Sequence, residues 1–256
     1  MSESTSRSVS PDVLIVGAGP AGAVAALVLA RAGVRVHVLE RATLPRPKLC
    51  GDSLNPGALA LLDRLGIGDA VRPLGVPITG MLVTGSSVAV DAPYPQGIAG
   101  LVIRRDRLDH ALVSAAVCAG ATLDEGVTVR QAVVEDARDG RVLAVGGVTA
   151  STRDGAVTSY RAPVTIAADG RRSTLAFALG LASHPAAPRR WAVGAYMSGI
   201  DATPARGEMH IRDGHYIGVA PTLGGGANVC VVQSVTSNVQ GAPLRDPAAL
   251  LRTTLE

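Results

Sequence analysis

The hydrophobic pattern of the chain begins with a short uninterrupted apolar run at residues 13–16, in which three of the four side chains are β-branched. Such a run is typical of a parallel strand that is buried on both faces. An Ala- and Leu-rich stretch at 21–32 predicts a helix that ends at Gly33, and residues 34–39 predict a second strand. The pattern therefore predicts a β-α-β unit at the start of the chain.

Three glycines with the spacing G-x-G-x-x-G occupy the turn between this first strand and its helix. Gly17 permits the tight turn, Gly19 lets a pyrophosphate approach the backbone, and Gly22 lets the helix lie close to the strand. The helix N-terminus also offers free N–H groups to an anion. Glu40 closes the second strand and can accept hydrogen bonds from both hydroxyls of an adenosine ribose, which disfavours a 2′-phosphate. The unit predicts a site for an ADP-containing ligand.

The next segment of the chain alternates between helical and extended patterns. Two prolines make 41–52 extended and irregular, and a helix is predicted from Pro56 to about 65, ended by Gly66 and Gly68. Short strands are predicted within 71–100. A strand that turns into a helix is predicted over 101–119.

Alternating patterns then dominate. Strands are predicted near 122–135, 141–148 and 156–166, with Asp139-Gly140 and Asp154-Gly155 as the tight turns between them. This is an antiparallel meander inserted between parallel elements. Later elements are a buried strand at 164–168, a helix at about 174–179, longer strands at 191–200, 206–220 and 226–235, and a helix that begins at 246.

These elements predict an α/β fold: a Rossmann-like dinucleotide-binding domain with an inserted antiparallel meander and a second, mostly antiparallel sheet. We assign 1–11 to a disordered leader, 12–70 and 101–182 to the cofactor domain, and 71–100 and 183–256 to a substrate domain. No metal site is expected.

Composition narrows the class of protein. Hydrophobic residues make up 47% of the 256-residue chain and charged residues 18%, which is typical of a folded protein. The net charge of +3 is too small and too scattered to favour a nucleic-acid partner. The three cysteines are far apart and lack metal-ligand spacing, so a reducing compartment, the cytoplasm, is expected. The uncharged run 13–30 nears the length of a membrane span, but its central Gly and Pro residues and flanking charges disfavour one, and we expect no integral membrane segment.

Four motifs together resemble FAD-dependent oxidoreductases of the para-hydroxybenzoate hydroxylase fold, and among them the geranylgeranyl reductase-like family. The first is the glycine fingerprint with Pro20, and the second is P-x-x-K-x-C-G at residues 45–51. The third is R-x-x-L-D at 105–109, and the fourth is A-D-G-x-x-S at 168–173. The second motif is the most specific of the four.

The resemblance implies a tightly held FAD, with NAD(P)H as a transient reductant. The cofactor-binding residues that it and the fingerprint imply are Gly17, Gly19, Pro20, Ala21, Gly22, Glu40, Arg41, Lys48, Cys50, Gly51, Arg105, Asp169 and Gly170. The implied substrate-pocket residues are Cys50, Tyr216, Gly218 and Pro221. The family's Y-x-W-x-F-P motif aligns with 216–221, but Gly218 and Ala220 replace its two large aromatic residues, so we expect a reshaped pocket.

Several of these residues also have structural interpretations. Cys50 can be a half-buried thiol with no role, and Lys48 a solvated surface charge. Arg105 can pair with Asp109 across one helical turn, and Asp169 can cap the helix that follows it. No histidine has a partner at a recognisable spacing, so we assign no catalytic residue.

The motifs imply an enzyme in which flavin reduced by NAD(P)H reduces a C=C bond of a lipophilic substrate, and they leave peripheral membrane contact open. The alternatives are a flavin-dependent monooxygenase of an aromatic or polyketide-like substrate, a truncated nucleotide-binding module without activity, or a simple NAD dehydrogenase. The family's returning Gly-Asp segment and long helix find no match after Cys230. We therefore expect a chain that lacks the C-terminal part of the fold and retains FAD weakly.

Overall fold

In a computed structural model, the chain is described over residues 10–136, 143–186, 190–234 and 246–255. It begins with a β-α-β unit, and most later strands follow one another without an intervening helix. The helices are α1 (Pro20–Arg31), α2 (Pro56–Arg64), α3 (Gly68–Val71), α4 (Arg105–Cys118), α5 (Thr174–Ala178) and α6 (Pro247–Leu255), with a 3-10 turn at Arg72–Leu74.

Within these described ranges, the strands form four sheets. In chain order they are β1 (Val13–Val16), β2 (Val36–Glu40), β3 (Ser53–Leu54), β4 (Val76–Ile78), β5 (Gly80–Thr84), β6 (Ala89–Pro93), β7 (Gly100–Val102), β8 (Thr122–Glu125), β9 (Thr128–Asp136), β10 (Leu143–Ser151), β11 (Val157–Arg161), β12 (Val164–Ala167), β13 (Arg190–Ser198), β14 (Gly207–Arg212), β15 (His215–Thr222) and β16 (Gly226–Ser234).

Contacts divide the chain into two compact units. The first contains Met1–Arg46 and Asp109–Ser183, and the second contains Pro47–Leu108 and His184–Glu256. These boundaries place 47–70 and 101–108 with the second unit, whereas the sequence grouped them with the cofactor domain. Which residues each domain contributes to cofactor and substrate stays a prediction.

The first unit is built on a parallel sheet with the strand order β12-β1-β2-β8. All four residues of β1 are buried, as expected of a central parallel strand. The antiparallel meander β9-β10-β11 packs against this sheet through a shared apolar core. That core contains Leu14, Val16, Leu39, Val127, Val129, Val148, Ala150, Ala162 and Leu175.

The second unit holds a six-stranded sheet with the order β13-β16-β15-β14-β5-β6. Its pairs are antiparallel except β14 with β5, which run parallel. A small antiparallel sheet of β3, β7 and β4 completes the unit. The fold class predicted from sequence is confirmed: a Rossmann-like unit with an inserted meander, and a second, mostly antiparallel sheet.

Two local predictions were wrong. The prediction of a single strand over 206–220 is wrong, because Gly214 adopts a left-handed φ of 74° and separates β14 from β15 as a hairpin. The prediction that Gly68 ends a helix is also wrong, because Gly68 begins α3. The predicted Asp139-Gly140 turn and most of the predicted leader lie outside the described residues.

Candidate functional site

The glycine-rich turn after β1 uses two of its three glycines for close backbone packing. Gly17 adopts a φ of 100°, and a Cβ there would lie 2.6 Å from the carbonyl oxygen of Ala168. A Cβ on Gly22 would lie 1.9 Å from the carbonyl oxygen of Gly17. Neither position can hold a larger residue without moving backbone, which explains both glycines.

The middle glycine of the turn faces open space instead. A Cβ on Gly19 would meet only the guanidinium of Arg46, at 3.9 Å. Gly19 is the N-cap of α1 and makes no side-chain cap, and Pro20 and Ala21 open the helix. The free N–H groups of the first turn and this open space are compatible with a diphosphate, whose binding here stays a prediction.

Glu40 lies at the mouth of the turn. Its Oε2 accepts a hydrogen bond from the Ala18 backbone N–H at 2.8 Å, and its Oε1 accepts one from Ala42 at 3.0 Å. The carboxylate is 4% exposed, and each of its oxygens retains a second lone pair for a further donor. This placement is compatible with ribose recognition, which stays a prediction for Glu40. Arg41, predicted beside it, is exposed.

Arg46 is a functional candidate that the sequence reasoning missed. Its guanidinium lies 3.7 Å from Glu40 and 3.3 Å from the fully buried carboxylate of Asp109, and its side chain is only 17% exposed. Together with its approach to Gly19, this places a cation beside the glycine-rich turn. The position between Pro45 and Pro47 was the available signal, because a flanking pair of prolines fixes the path of the chain.

The Asp169-Gly170 segment follows β12 at the carboxyl edge of the parallel sheet. One oxygen of Asp169, Oδ2, accepts a hydrogen bond from the Thr174 N–H at 2.7 Å, so Asp169 binds the first N–H of α5, whose N-cap residue is Ser173. The other oxygen, Oδ1, is buried and has no hydrogen-bond partner among the described residues. Gly170 adopts a φ of 84° with nothing within 4 Å of its missing Cβ. Buried polar atoms in proteins are normally paired, so this oxygen is suited to a ligand donor.

The second unit contains a group of five interacting side chains, here called the polar cluster: Cys50, Asp52, Tyr196, Asn228 and Cys230. Its centre is Asp52, which is 4% exposed. The Asp52 Oδ2 accepts hydrogen bonds from the Tyr196 hydroxyl at 2.6 Å and from the Asn228 amide at 2.7 Å. The carboxylate is therefore buried with two strong donors, which is the condition under which a buried charge is tolerated.

Strand register explains why the polar cluster forms. Tyr196 on β13 lies directly opposite Asn228 on β16, so the two side chains share one face of the sheet. Cys230, two residues further along β16, occupies the same face. It lies between Gly194 and Gly218 on the neighbouring strands, and a Cβ on Gly194 would meet its sulfur at 2.7 Å.

The segment of the P-x-x-K-x-C-G motif packs onto this same face. The Asn228 amide donates to the carbonyl oxygen of Cys50 at 2.5 Å, and the Cys230 thiol lies 3.8 Å from that carbonyl. Arg105 at the start of α4 places Nη1 3.7 Å from the Cys50 sulfur. The structure thus brings Cys50 and Arg105 together, whereas Lys48 and Gly51 are exposed.

The predicted pocket residues on β15 divide between two faces. Gly218 lies opposite Cys230 of the polar cluster, and Tyr216, two residues earlier on the same strand, lies on the same face. Gly218 has only backbone oxygens at 3.9 and 4.0 Å from its missing Cβ, so the space above it is open. Pro221 belongs to the opposite face. Their role in a substrate pocket stays a prediction.

Electrostatics at the polar cluster favour neutral forms of its phenol and of one thiol. Burial and the Asp52 carboxylate raise the pKa of Tyr196 well above its usual range, while the Arg104 guanidinium, 4.6 Å from the ring centroid, opposes this. Burial, with Asp52 and Cys50, also raises the pKa of the Cys230 thiol.

The residues of the first unit fit FAD. The open backbone at Gly19, the carboxylate of Glu40 at the turn and the unpartnered Oδ1 of Asp169 provide room, an acceptor for ribose hydroxyls and a buried acceptor. Each is a polar or steric feature that the protein's own described residues leave unfilled.

Comparison with known proteins identifies the family. A family model described as an FAD binding domain matches residues 10–237. The chain belongs to this family. It is 38% identical over 194 residues to a menaquinone reductase of Mycobacterium tuberculosis, a match that covers 74% of this chain and 45% of that protein. It is 32% identical over 197 residues to squalene monooxygenase of Mus musculus, covering 72% and 33%.

A solved structure extends the likeness to the whole fold. A geranylgeranyl bacteriochlorophyll reductase-like protein from Thermoplasma acidophilum superposes with a TM-score of 0.80 at 25% identity, covering 95% of this chain and 61% of that one. The resemblance to geranylgeranyl reductase-like flavoproteins is confirmed. This chain spans less than half the length of the curated relatives it matches. Among the described residues, no helix is both long and apolar enough to cross a membrane.

Proposed function

We propose that this protein is an FAD-dependent oxidoreductase in which flavin reduced by NAD(P)H reduces a C=C bond of a lipophilic substrate. The observation that carries the proposal is the open backbone at Gly19 beside a buried Glu40, which accepts a hydrogen bond from Ala18 at 2.8 Å. The likeness to a menaquinone reductase and to a geranylgeranyl reductase-like structure supports the reductive direction.

The first unit would hold the nucleotide part of the cofactor. The N–H groups at the start of α1 and the Arg46 guanidinium would bind the diphosphate, and Glu40 would accept hydrogen bonds from the adenosine ribose. The Asp169 Oδ1 would accept a hydrogen bond from a cofactor hydroxyl. When bound, FAD supplies the hydride chemistry, and the protein supplies binding and electrostatics.

In the second unit, the face that carries the polar cluster would receive the substrate. Gly218 leaves room where a large side chain would restrict it, and Cys50 and Tyr216 lie on the same face. The buried Asp52 fixes the strands and the Cys50 segment relative to one another, so the substrate-facing side chains are held before substrate binds.

The test is titration of the purified protein with FAD, followed by anaerobic addition of NADPH or NADH. We expect saturable FAD binding, bleaching of the flavin spectrum by at least one of the two nucleotides, and an affinity about ten-fold lower in Glu40→Gln, the cost of one ribose hydrogen bond. Binding of ADP without FAD would instead assign the chain as a nucleotide-binding module.

A flavin-dependent monooxygenase is the second candidate, and the 32% identity to squalene monooxygenase favours it. Both activities would use the same cofactor residues but differ in their need for oxygen. Turnover that continues without O₂ and adds two hydrogens supports the reductase. Incorporation of labelled oxygen into the product supports the monooxygenase.

We further propose that the protein is located in the cytoplasm and acts there on a lipophilic substrate.

A further inference from the structure

The Cys50 sulfur lies between two groups of opposite charge. Its thiol donates a hydrogen bond to the Asp52 Oδ1 at 3.5 Å, and the Nη1 of Arg105, at the start of α4, lies 3.7 Å from the Cys50 sulfur. The Asp52 backbone N–H also donates to the sulfur, at 3.4 Å. A cation and an N–H donor stabilise negative charge on a neighbouring sulfur, whereas a carboxylate repels it.

Both the side chain and the backbone of Asp52 are held by hydrogen bonds, although the residue lies in a loop. Besides its bonds to Tyr196 and Asn228, its carbonyl oxygen accepts from the Ile103 N–H at 2.8 Å. Its backbone adopts a left-handed φ of 53°, which is uncommon for a residue other than glycine. Non-glycine residues in this conformation cost energy and cluster at functional sites.

We propose that Asp52 is a positioning residue, which holds the Cys50 thiol protonated and oriented against the opposing influence of Arg105. The geometry at Cys50 does not depend on the proposed function; only the role of the thiol toward a substrate rests on it. A neutral thiol can give a proton to a bound substrate, whereas a thiolate would add to the substrate or be oxidised. The carboxylate therefore decides which chemistry the Cys50 sulfur offers.

The other groups that face this site are the rest of the polar cluster and its neighbour. Cys230 lies near the Cys50 carbonyl, and its own thiol is kept neutral by burial. The Tyr196 hydroxyl donates a hydrogen bond to the Oδ2 of Asp52, the oxygen that Cys50 does not contact. Arg104 lies over the Tyr196 ring and forms an ion pair with Asp106. Among these described groups, Asp52 and Arg105 are the two charged side chains in direct contact with the Cys50 sulfur.

The test is peptide-resolved alkylation of the whole protein by iodoacetamide across the pH range in which thiols ionise. Cys118 is exposed and serves as an internal reference in every sample. We expect Asp52→Asn to raise the Cys50 rate relative to Cys118 about five-fold near neutral pH, because only the opposing cation remains. We expect Arg105→Gln to lower the ratio by a similar factor. Tyr196→Phe, which keeps the carboxylate, should leave it nearly unchanged.

Opposite changes in Asp52→Asn and Arg105→Gln support the proposal, since loosening of the segment alone would raise both rates. Equal rates in all variants, or a rise in both, would overturn it. Asparagine tolerates the left-handed backbone, and Arg105→Gln tests the same balance if Asp52→Asn fails to fold. Alkylation needs neither flavin nor substrate, so this outcome is separate from the test of the oxidoreductase assignment.

Discussion

The glycine-rich turn of the first unit and the polar cluster of the second differ in what keeps them in shape. The turn depends on missing side chains: two backbone segments approach so closely that a Cβ would collide, and one glycine leaves room. The cluster depends on side chains whose donors and acceptors satisfy a buried carboxylate. The turn should therefore be most sensitive to added volume at Gly17 and Gly22, whereas the cluster should be most sensitive to the loss of a hydrogen-bond donor to Asp52.

The largest expected effect comes from Gly22→Ala. The new methyl would lie 1.9 Å from the Gly17 carbonyl oxygen, so the turn must open. We expect a loss of about 3 kcal/mol or more in the free energy of unfolding, measured by urea denaturation.

The matched control is Gly19→Ala, whose backbone φ of −72° suits alanine and whose Cβ meets nothing nearer than 3.9 Å. Its stability should stay within about 0.5 kcal/mol of the parent or rise slightly, while ADP and FAD bind at least about ten-fold more weakly. If Gly19→Ala destabilises the protein as strongly as Gly22→Ala, the space at Gly19 is not reserved for a ligand.

Arg46→Met should have the next largest effect. It removes a cation from the buried Asp109 carboxylate, which keeps its other interactions, so we expect a loss of about 2 kcal/mol in unfolding free energy. FAD binding should weaken as well. Arg41→Met, at an exposed position in the same segment, should change stability by less than about 0.5 kcal/mol. Equal effects of the two substitutions would contradict a buried structural role for Arg46.

Tyr196→Phe tests the polar cluster without changing its net charge. Loss of the 2.6 Å hydrogen bond to Asp52 should cost about 1–2 kcal/mol near neutral pH, measured by thermal unfolding. The folded protein raises the pKa of Tyr196, so its contribution is present below the pKa of an unfolded tyrosine and is lost as the pH rises above it. The difference between parent and variant should therefore shrink in strong alkali.

Tyr216→Phe is the control for that experiment, because the phenol of Tyr216 lies on the same face of the sheet. A late-titrating phenolate signal should disappear in Tyr196→Phe and persist in Tyr216→Phe. An unchanged titration in both variants would show that the hydroxyl of Tyr196 does not bind a carboxylate.

The smallest effect is expected at an exposed ion pair of the first unit. Arg35 holds the pKa of Asp12 at about 2, below its usual value, through a side-chain hydrogen bond. The stabilisation is thus present above the unfolded pKa and lost as the pH falls through about 2. Asp12→Asn should lower the melting temperature only slightly at neutral pH, and salt should reduce the difference. A large effect would mean that surface charge, rather than the turn, limits the stability of this unit.

The turn could be predicted from sequence because its constraints are local. Gly17, Gly19 and Gly22 fall within six residues, and Glu40 ends the next strand, so periodicity and spacing locate the site. The same reasoning missed Arg46, because nothing in a Pro-Arg-Pro segment states which buried carboxylate the guanidinium will reach.

The polar cluster could not be predicted in this way. Asn228 contacts Asp52 from 176 residues away, and Tyr196 reaches it from 144. Their meeting depends on the register of β13 against β16, which neither strand's own sequence specifies. The hairpin at Asp213-Gly214 was likewise read as a continuous strand, although Asp-Gly is a strong turn signal.

The left-handed backbone at Asp52 restricts how this face of the sheet can evolve. Only glycine, asparagine and aspartate adopt that conformation readily, and in the genetic code a single base change converts an aspartate codon into either of the other two. Asparagine would keep the backbone conformation and a side chain of the same size but lose the charge, whereas glycine would keep only the backbone conformation. We therefore expect the reactivity of the Cys50 sulfur to differ between homologues in discrete steps rather than gradually. The residue at position 52 would then indicate the reactivity of that sulfur in each homologue.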